Sequence, residues 1–197
     1  MYHVPSSNTN HNPNAIFWLW LVVHALITIF IGQIAIRNTF IVTVMQSVVI
    51  VVAEWLVLQR FFSHMLRWLV VTLMLRFGVI FLISLVPVRV DLDMNVIQLV
   101  LYWLVLSFPV VVIVGMAQTM IFASLVRLPW RWLVALMVGL VVQMLFFAFE
   151  TSLFLEKTML VFQYGAIAVL VRIVAAMLAS IPTGYVLRQF VRERNRS

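Results

Sequence analysis

The chain contains no cysteine, which excludes disulfides, a thiolate nucleophile, iron–sulfur clusters and Cys-ligated zinc. Charge is nearly as scarce. Only 10% of the 197 residues are Asp, Glu, Lys or Arg, against about a quarter in soluble domains. Six glycines and six prolines leave little material for long irregular stretches. Of the four histidines only His24 lies well inside an apolar segment, which disfavours a haem held by two histidines of this chain. Neither an HExxH motif nor a pair of carboxylates within one apolar segment occurs. No cofactor and no catalytic residue are expected, so the chain reads as non-enzymatic.

What is present is apolar. Sixty-five per cent of the residues are hydrophobic and the mean hydropathy is +1.14, values that make lipid the expected solvent. Thirteen basic residues outnumber six acidic ones, a balance that suggests nucleic acid in a soluble protein. Here the arginines gather at the ends of apolar segments, where anionic headgroups attract them, and nucleic-acid binding is not expected.

Six apolar segments stand out, at residues 15 to 36, 39 to 59, 66 to 86, 96 to 125, 130 to 149 and 159 to 188. Each can supply the roughly 20 residues that cross a bilayer. The expected fold is therefore all-α: a polytopic membrane helical bundle of six transmembrane helices spanning residues 15–190, between a disordered polar tail at 1–14 and a basic tail at 191–197. Pro109 is expected to kink the fourth helix, and the sixth to extend beyond Pro182. One side of this arrangement carries Arg60, Arg67, Arg127, Arg131, Arg188, Arg192, Arg194 and Arg196; the other has only Arg37, Arg89 and Lys157. The positive-inside rule then places both termini in the cytoplasm. Trp68, Trp130 and Trp132 fall at the inner boundary, where interfacial tryptophans are expected.

Residues 53 to 70 align without a gap on residues 117 to 134, with RWLV identical, and VLRQF at 186 to 190 matches VLQRF at 57 to 61. Three repeated helical hairpins of one orientation would account for this. The stretch AEWLVLQR followed by RWLVV resembles a pattern found in bacterial multi-pass proteins built from helical hairpins, in which a helix ends Q-W-L-V-L-R-R. It departs from that pattern at Glu54 and Gln59. The resemblance covers about twenty residues and implies a hairpin-built bacterial inner (plasma) membrane protein, with no activity attached. Size and topology are similar to those of the substrate-binding subunits of energy-coupling-factor transporters.

Polar groups in hydrocarbon are costly, so their positions are the candidate site. Helical spacing groups His24, Thr28, Gly32 and Ala35; Thr43, Ser47 and Glu54; Thr72, Arg76 and Ser84; Ala135, Gly139, Gln143 and Glu150; and Gly165, Ala168, Arg172, Ala175 and Ala179. Glu54 and Arg76 sit at similar depths, about 9 and 13 Å from Arg60 and Arg67 on consecutive helices, and an ion pair between them is expected. Arg172 has no acidic residue at its depth, with Gln118 as a possible hydrogen-bonding neighbour. Two arginines against one glutamate leave one positive charge to be met by a small anionic solute, a lipid headgroup or an acidic residue of another membrane subunit. The candidate ligand- or partner-binding residues are thus Arg172, Arg76, Glu54, Gln118, His24 and Gln143. Two functions fit: a transport or solute-binding subunit for a small anionic or amphipathic molecule, which the inward polar stripes favour, or a structural subunit of a larger membrane complex.

Overall fold

The computed structural model describes residues 12–33, 39–63, 65–85, 95–155 and 165–196. These form six helices: α1 (Pro13–Gln33), α2 (Thr39–Phe61), α3 (Leu66–Ser84), α4 (Val96–Phe122), α5 (Trp130–Leu155) and α6 (Gly165–Arg194). No strand occurs among the described residues. The N-terminal tail up to residue 11, His64, and the connections bearing Arg37, Arg89, Asp91, Asp93, Glu156 and Lys157 lie outside the described residues.

The termini of the helices follow from local chemistry. Asn12 accepts a hydrogen bond from the Asn14 amide at 2.9 Å, and Pro13 opens α1 at the position where a missing N–H costs nothing. Asn95 caps α4 in a reciprocal box with Gln98: the Gln98 amide donates to Asn95 Oδ1, and the Asn95 amide donates to Gln98 Oε1. Both α4 and α6 run through an internal proline, Pro109 and Pro182. Around Pro182 the hydroxyls of Ser180 and Thr183 donate to the carbonyls of Met177 and Ser180, the kind of side-chain bonding that lets a proline sit inside a helix in lipid. Helix α6 continues to Arg194, past the expected end of the bundle at residue 190.

Four helices contain stretches long and apolar enough to cross a membrane: Val44–Phe61, Val100–Phe122, Trp130–Phe149 and Val169–Arg194. Their outer surfaces are hydrophobic, with Val105, Met120, Leu145 and Leu170 largely exposed, as a lipid-facing surface requires. The molecule is an all-helical membrane bundle. Each helix packs on its chain neighbours and α6 packs back on α1, most extensively of all, which closes the helices into a ring.

The core of that ring lies at one end, where α2 turns into α3 and α4 into α5. Leu58, Phe122 and Leu187 are completely buried there, together with Trp20, Trp68, Trp132, Phe62 and Phe190. Phe122 is the hub: its ring meets Trp132 at 5.1 Å, Phe190 at 5.4 Å and Phe62 at 5.9 Å. Because lipid is as apolar as these side chains, close packing and polar contacts, rather than escape from water, must hold this end together. The same end carries the arginines. Arg131 donates to Gln189 Oε1 at 3.1 Å and lies 3.7 Å from Glu193, while Arg194 donates to the Phe61 carbonyl, so α6 is tied to both α5 and α2.

The tryptophans divide differently from the sequence expectation. Trp130 is exposed, but Trp68 and Trp132 are core residues rather than interfacial anchors. Residues two apart on a helix point in nearly opposite directions, so Trp130 and Trp132 cannot both face the interface; Trp18, exposed, and Trp20, buried, repeat the pattern.

Candidate functional site

Two polar relays cross the bundle, each linking three helices. In the first, the Thr183 hydroxyl on α6 accepts the indole N–H of Trp20 on α1 at 2.8 Å. One turn on, His24 Nδ1 lies 2.8 Å from the Trp20 carbonyl, and His24 Nε2 lies 3.3 Å from Glu54 Oε1 on α2. The Trp20 and His24 rings are 4.8 Å apart. In the second relay, Trp132 Nε1 on α5 donates to Gln118 Oε1 on α4 at 2.8 Å, and Gln118 Nε2 donates to Thr72 Oγ1 on α3 at 3.1 Å. Glu54, Thr72, Gln118 and Thr183 are all buried, so these bonds satisfy groups that would otherwise cost about 1–3 kcal/mol each.

The geometry alters three expectations. Glu54 does not meet Arg76: its carboxylate faces His24, a residue on α1 that the depth argument between consecutive helices did not weigh. Depth along a helix says how far in a residue lies, but not which side of the helix it occupies. Gln143 is exposed, although Ala135 and Gly139 on the same helix are buried. Successive four-residue steps each drift by about 40° around a 3.6-residue helix, and Gln143 has left the seam. Arg172 is exposed and is engaged in a contact, so it does not lie in the buried seam where its spacing put it. Its neighbours do form a seam: Ala175 is buried, and a Cβ on Gly139 would come within 2.6 Å of the Ala179 carbonyl oxygen. Small residues bring the α5 and α6 backbones together, but a side chain as long as arginine need not stay in the contact they make.

No protein family, curated protein or solved structure matches this chain. The site must therefore be read from its own chemistry.

Two arginines among the described residues bury an Nε without a hydrogen-bond partner, Arg188 near the inner end of α6 and Arg76 within α3, and of these Arg76 lies beside a pocket. Arg76 is half-buried in the middle of α3, and its Nε is buried without a hydrogen-bond partner among the described residues. The side chain borders a small pocket of about 50 Å³ lined by Val110, Val111, Val114, Gly115 and Gln118 of α4 and Leu136 of α5. One turn below it, Thr72 and Gln118 form the second relay, so the pocket is apolar on its α4 wall and polar at its base. Groups of three or more His, Asp or Glu that could hold a metal do not occur among the described residues. Sequence reasoning picked out Arg76, Glu54, His24 and Gln118, but missed Thr183, Trp20, Trp68 and Trp132. The signal was available for the last two: Trp132 stands fourteen residues after Gln118, as Trp68 does after Glu54.

Proposed function

We propose that this chain is a non-enzymatic subunit of the bacterial inner membrane that binds the anionic group of a small or amphipathic molecule at Arg76, as a transport or solute-binding component. Six spans in three repeated hairpins, with both termini cytoplasmic, form the scaffold of this reading. It is supported by the equivalent burial of the aligned residues Leu58, Phe122 and Leu187 and of the aligned residues Glu54 and Gln118. The similarity in size and topology to the substrate-binding subunits of energy-coupling-factor transporters points the same way.

One observation carries the functional reading. A guanidinium about 13 Å inside the inner boundary keeps an unpaired, buried Nε beside a pocket. Such a group is costly in hydrocarbon unless an anion joins it, and arginine's planar fork suits carboxylate and phosphate. The pocket is too small for a whole solute and suits a single anionic group whose apolar remainder lies among the helices or in lipid. A partner subunit's acidic side chain offers the same chemistry, and this is the alternative reading, as an assembly subunit.

Native mass spectrometry of the gently solubilised protein separates the two. Wild type should carry an anionic small molecule or lipid that Arg76→Gln loses and Arg76→Lys retains in part. Co-purification of another polypeptide, lost in Arg76→Gln, would favour the assembly reading. Identical inventories in all three proteins, with unchanged melting, would remove the anion site altogether.

A further inference from the structure

The contact between His24 and Glu54 cannot be made by two fully deprotonated groups. A backbone carbonyl can only accept, so His24 Nδ1, 2.8 Å from the Trp20 oxygen, must carry a hydrogen and donate it. In a neutral ring this leaves Nε2 as a bare lone pair. That lone pair would face Glu54 Oε1 at 3.3 Å, acceptor against acceptor, in a buried setting. The contact becomes attractive only with one further proton, either on Nε2, giving imidazolium and carboxylate, or on Oε1, giving a carboxylic acid that donates to the ring. Both forms have the same net charge. The Trp20 ring at 4.8 Å favours the first, since an indole face attracts a cation.

A second, independent observation shows where Glu54 can go when that proton leaves. Two of the three core tryptophans place their indole N–H on a polar side chain of an adjoining helix: Trp132 on Gln118 and Trp20 on Thr183. The third, Trp68, is fully buried, and its Nε1 has no partner among the described residues. Trp68 follows Glu54 by the same fourteen residues that separate Trp132 from Gln118, and α3 packs directly on α2. Trp55 Nε1 on α2 is likewise buried without a partner among the described residues, but Trp68 stands on the adjoining helix at the spacing of the Gln118–Trp132 bond, and it is the donor to which a carboxylate repelled by the bare Nε2 lone pair would turn.

We propose that His24 and Glu54 form an intramembrane proton-binding site, and that on losing the proton Glu54 exchanges its partner from His24 on α1 to Trp68 on α3. The released proton passes to water; the pair goes from net neutral to a single negative charge, with His24 neutral and still bonded to Trp20. Among the elements packed on α1 and α2, α3 carries Arg76 within its length and Arg67 at its inner end. Helix α6 carries Arg172, Tyr185 and the inner-end cluster of Arg188, Arg192, Glu193 and Arg194, and α2 carries Arg60. None of these makes an ion pair with His24 or Glu54 among the described residues. The site is separate from the Arg76 pocket and stands without it.

The test is nitrogen NMR of the protein in lipid nanodiscs, labelled in the histidine rings and tryptophan indoles, with His24 identified by His24→Gln and Trp68 by Trp68→Phe. Below the transition His24 should show a protonated Nδ1 and a proton shared at Nε2. As pH rises, one proton per chain should leave while the Trp68 indole signal shifts in step, and Glu54→Gln should abolish that shift. Trp68→Phe, which deletes that donor but keeps the pair, should retain the shared proton at Nε2 below the transition. A His24 ring protonated only at Nε2 would overturn the shared proton. A Trp68 signal that ignores the transition would overturn the exchange.

Discussion

Adding one methyl group at different glycines should separate the tight seam of this bundle from its open faces. At Gly78 on α3 a Cβ meets nothing within 4 Å; at Gly115 on α4 it meets the ends of Leu133 and Leu136 at 2.8 and 2.9 Å; at Gly139 on α5 it meets the Ala179 backbone oxygen at 2.6 Å. All three substitutions to alanine gain the same helix propensity, about 0.8–1 kcal/mol, so differences between them report the contact alone. Leucine tips can turn aside, and Gly115→Ala should lie within about 1 kcal/mol of Gly78→Ala. A backbone carbonyl cannot turn aside. Gly139→Ala falls about 0.8 Å short of an ordinary contact, so α5 and α6 must separate, at about 1–3 kcal/mol for overpacking. For a chain of this size that is roughly 2–12 °C in apparent melting temperature relative to Gly78→Ala. Thermal unfolding of the three variants in one mild detergent, followed by near-ultraviolet circular dichroism, measures the order directly. Equal melting of Gly139→Ala and Gly78→Ala would refute the close α5–α6 approach and the seam built on it.

Gln118→Leu strands the buried indole N–H of Trp132 and the hydroxyl of Thr72, and should destabilise the protein by about 1–3 kcal/mol, measurable in the same melting assay. In double-mutant cycles His24→Gln and Glu54→Gln should couple by about 0.5–3 kcal/mol, whereas Arg76→Gln and Glu54→Gln should add to within about 0.5 kcal/mol; the reverse result would restore the Glu54–Arg76 pair. A reporter active only in the cytoplasm should be active when fused after Ser197, and activity of a periplasm-only reporter there would overturn the inward orientation of the termini.

The sequence alone determined the solvent and the elements. Apolar runs of bilayer length, interrupted by Arg and Pro, located six helices to within a few residues for most ends, because a backbone in lipid must satisfy its own hydrogen bonds and has no other regular solution open to a single segment. Helical spacing also selected the residues that would be polar in an apolar place, Glu54, His24, Gln118 and Arg76 among them, since that choice depends only on chemistry and position along the chain. Pairing was decided by the tertiary structure. Glu54 found His24 rather than Arg76, Trp132 turned into the core while Trp130 turned out of it, and Arg172 left the seam that its small neighbours make. Each of these depends on rotation about a helix axis and on which helix closes the ring beside it. Nearly uniform hydrophobicity around these helices removes the amphipathic signal that would reveal rotation in a soluble protein, and the contact of α6 with α1 joins residues more than 160 positions apart, where no local pattern reaches.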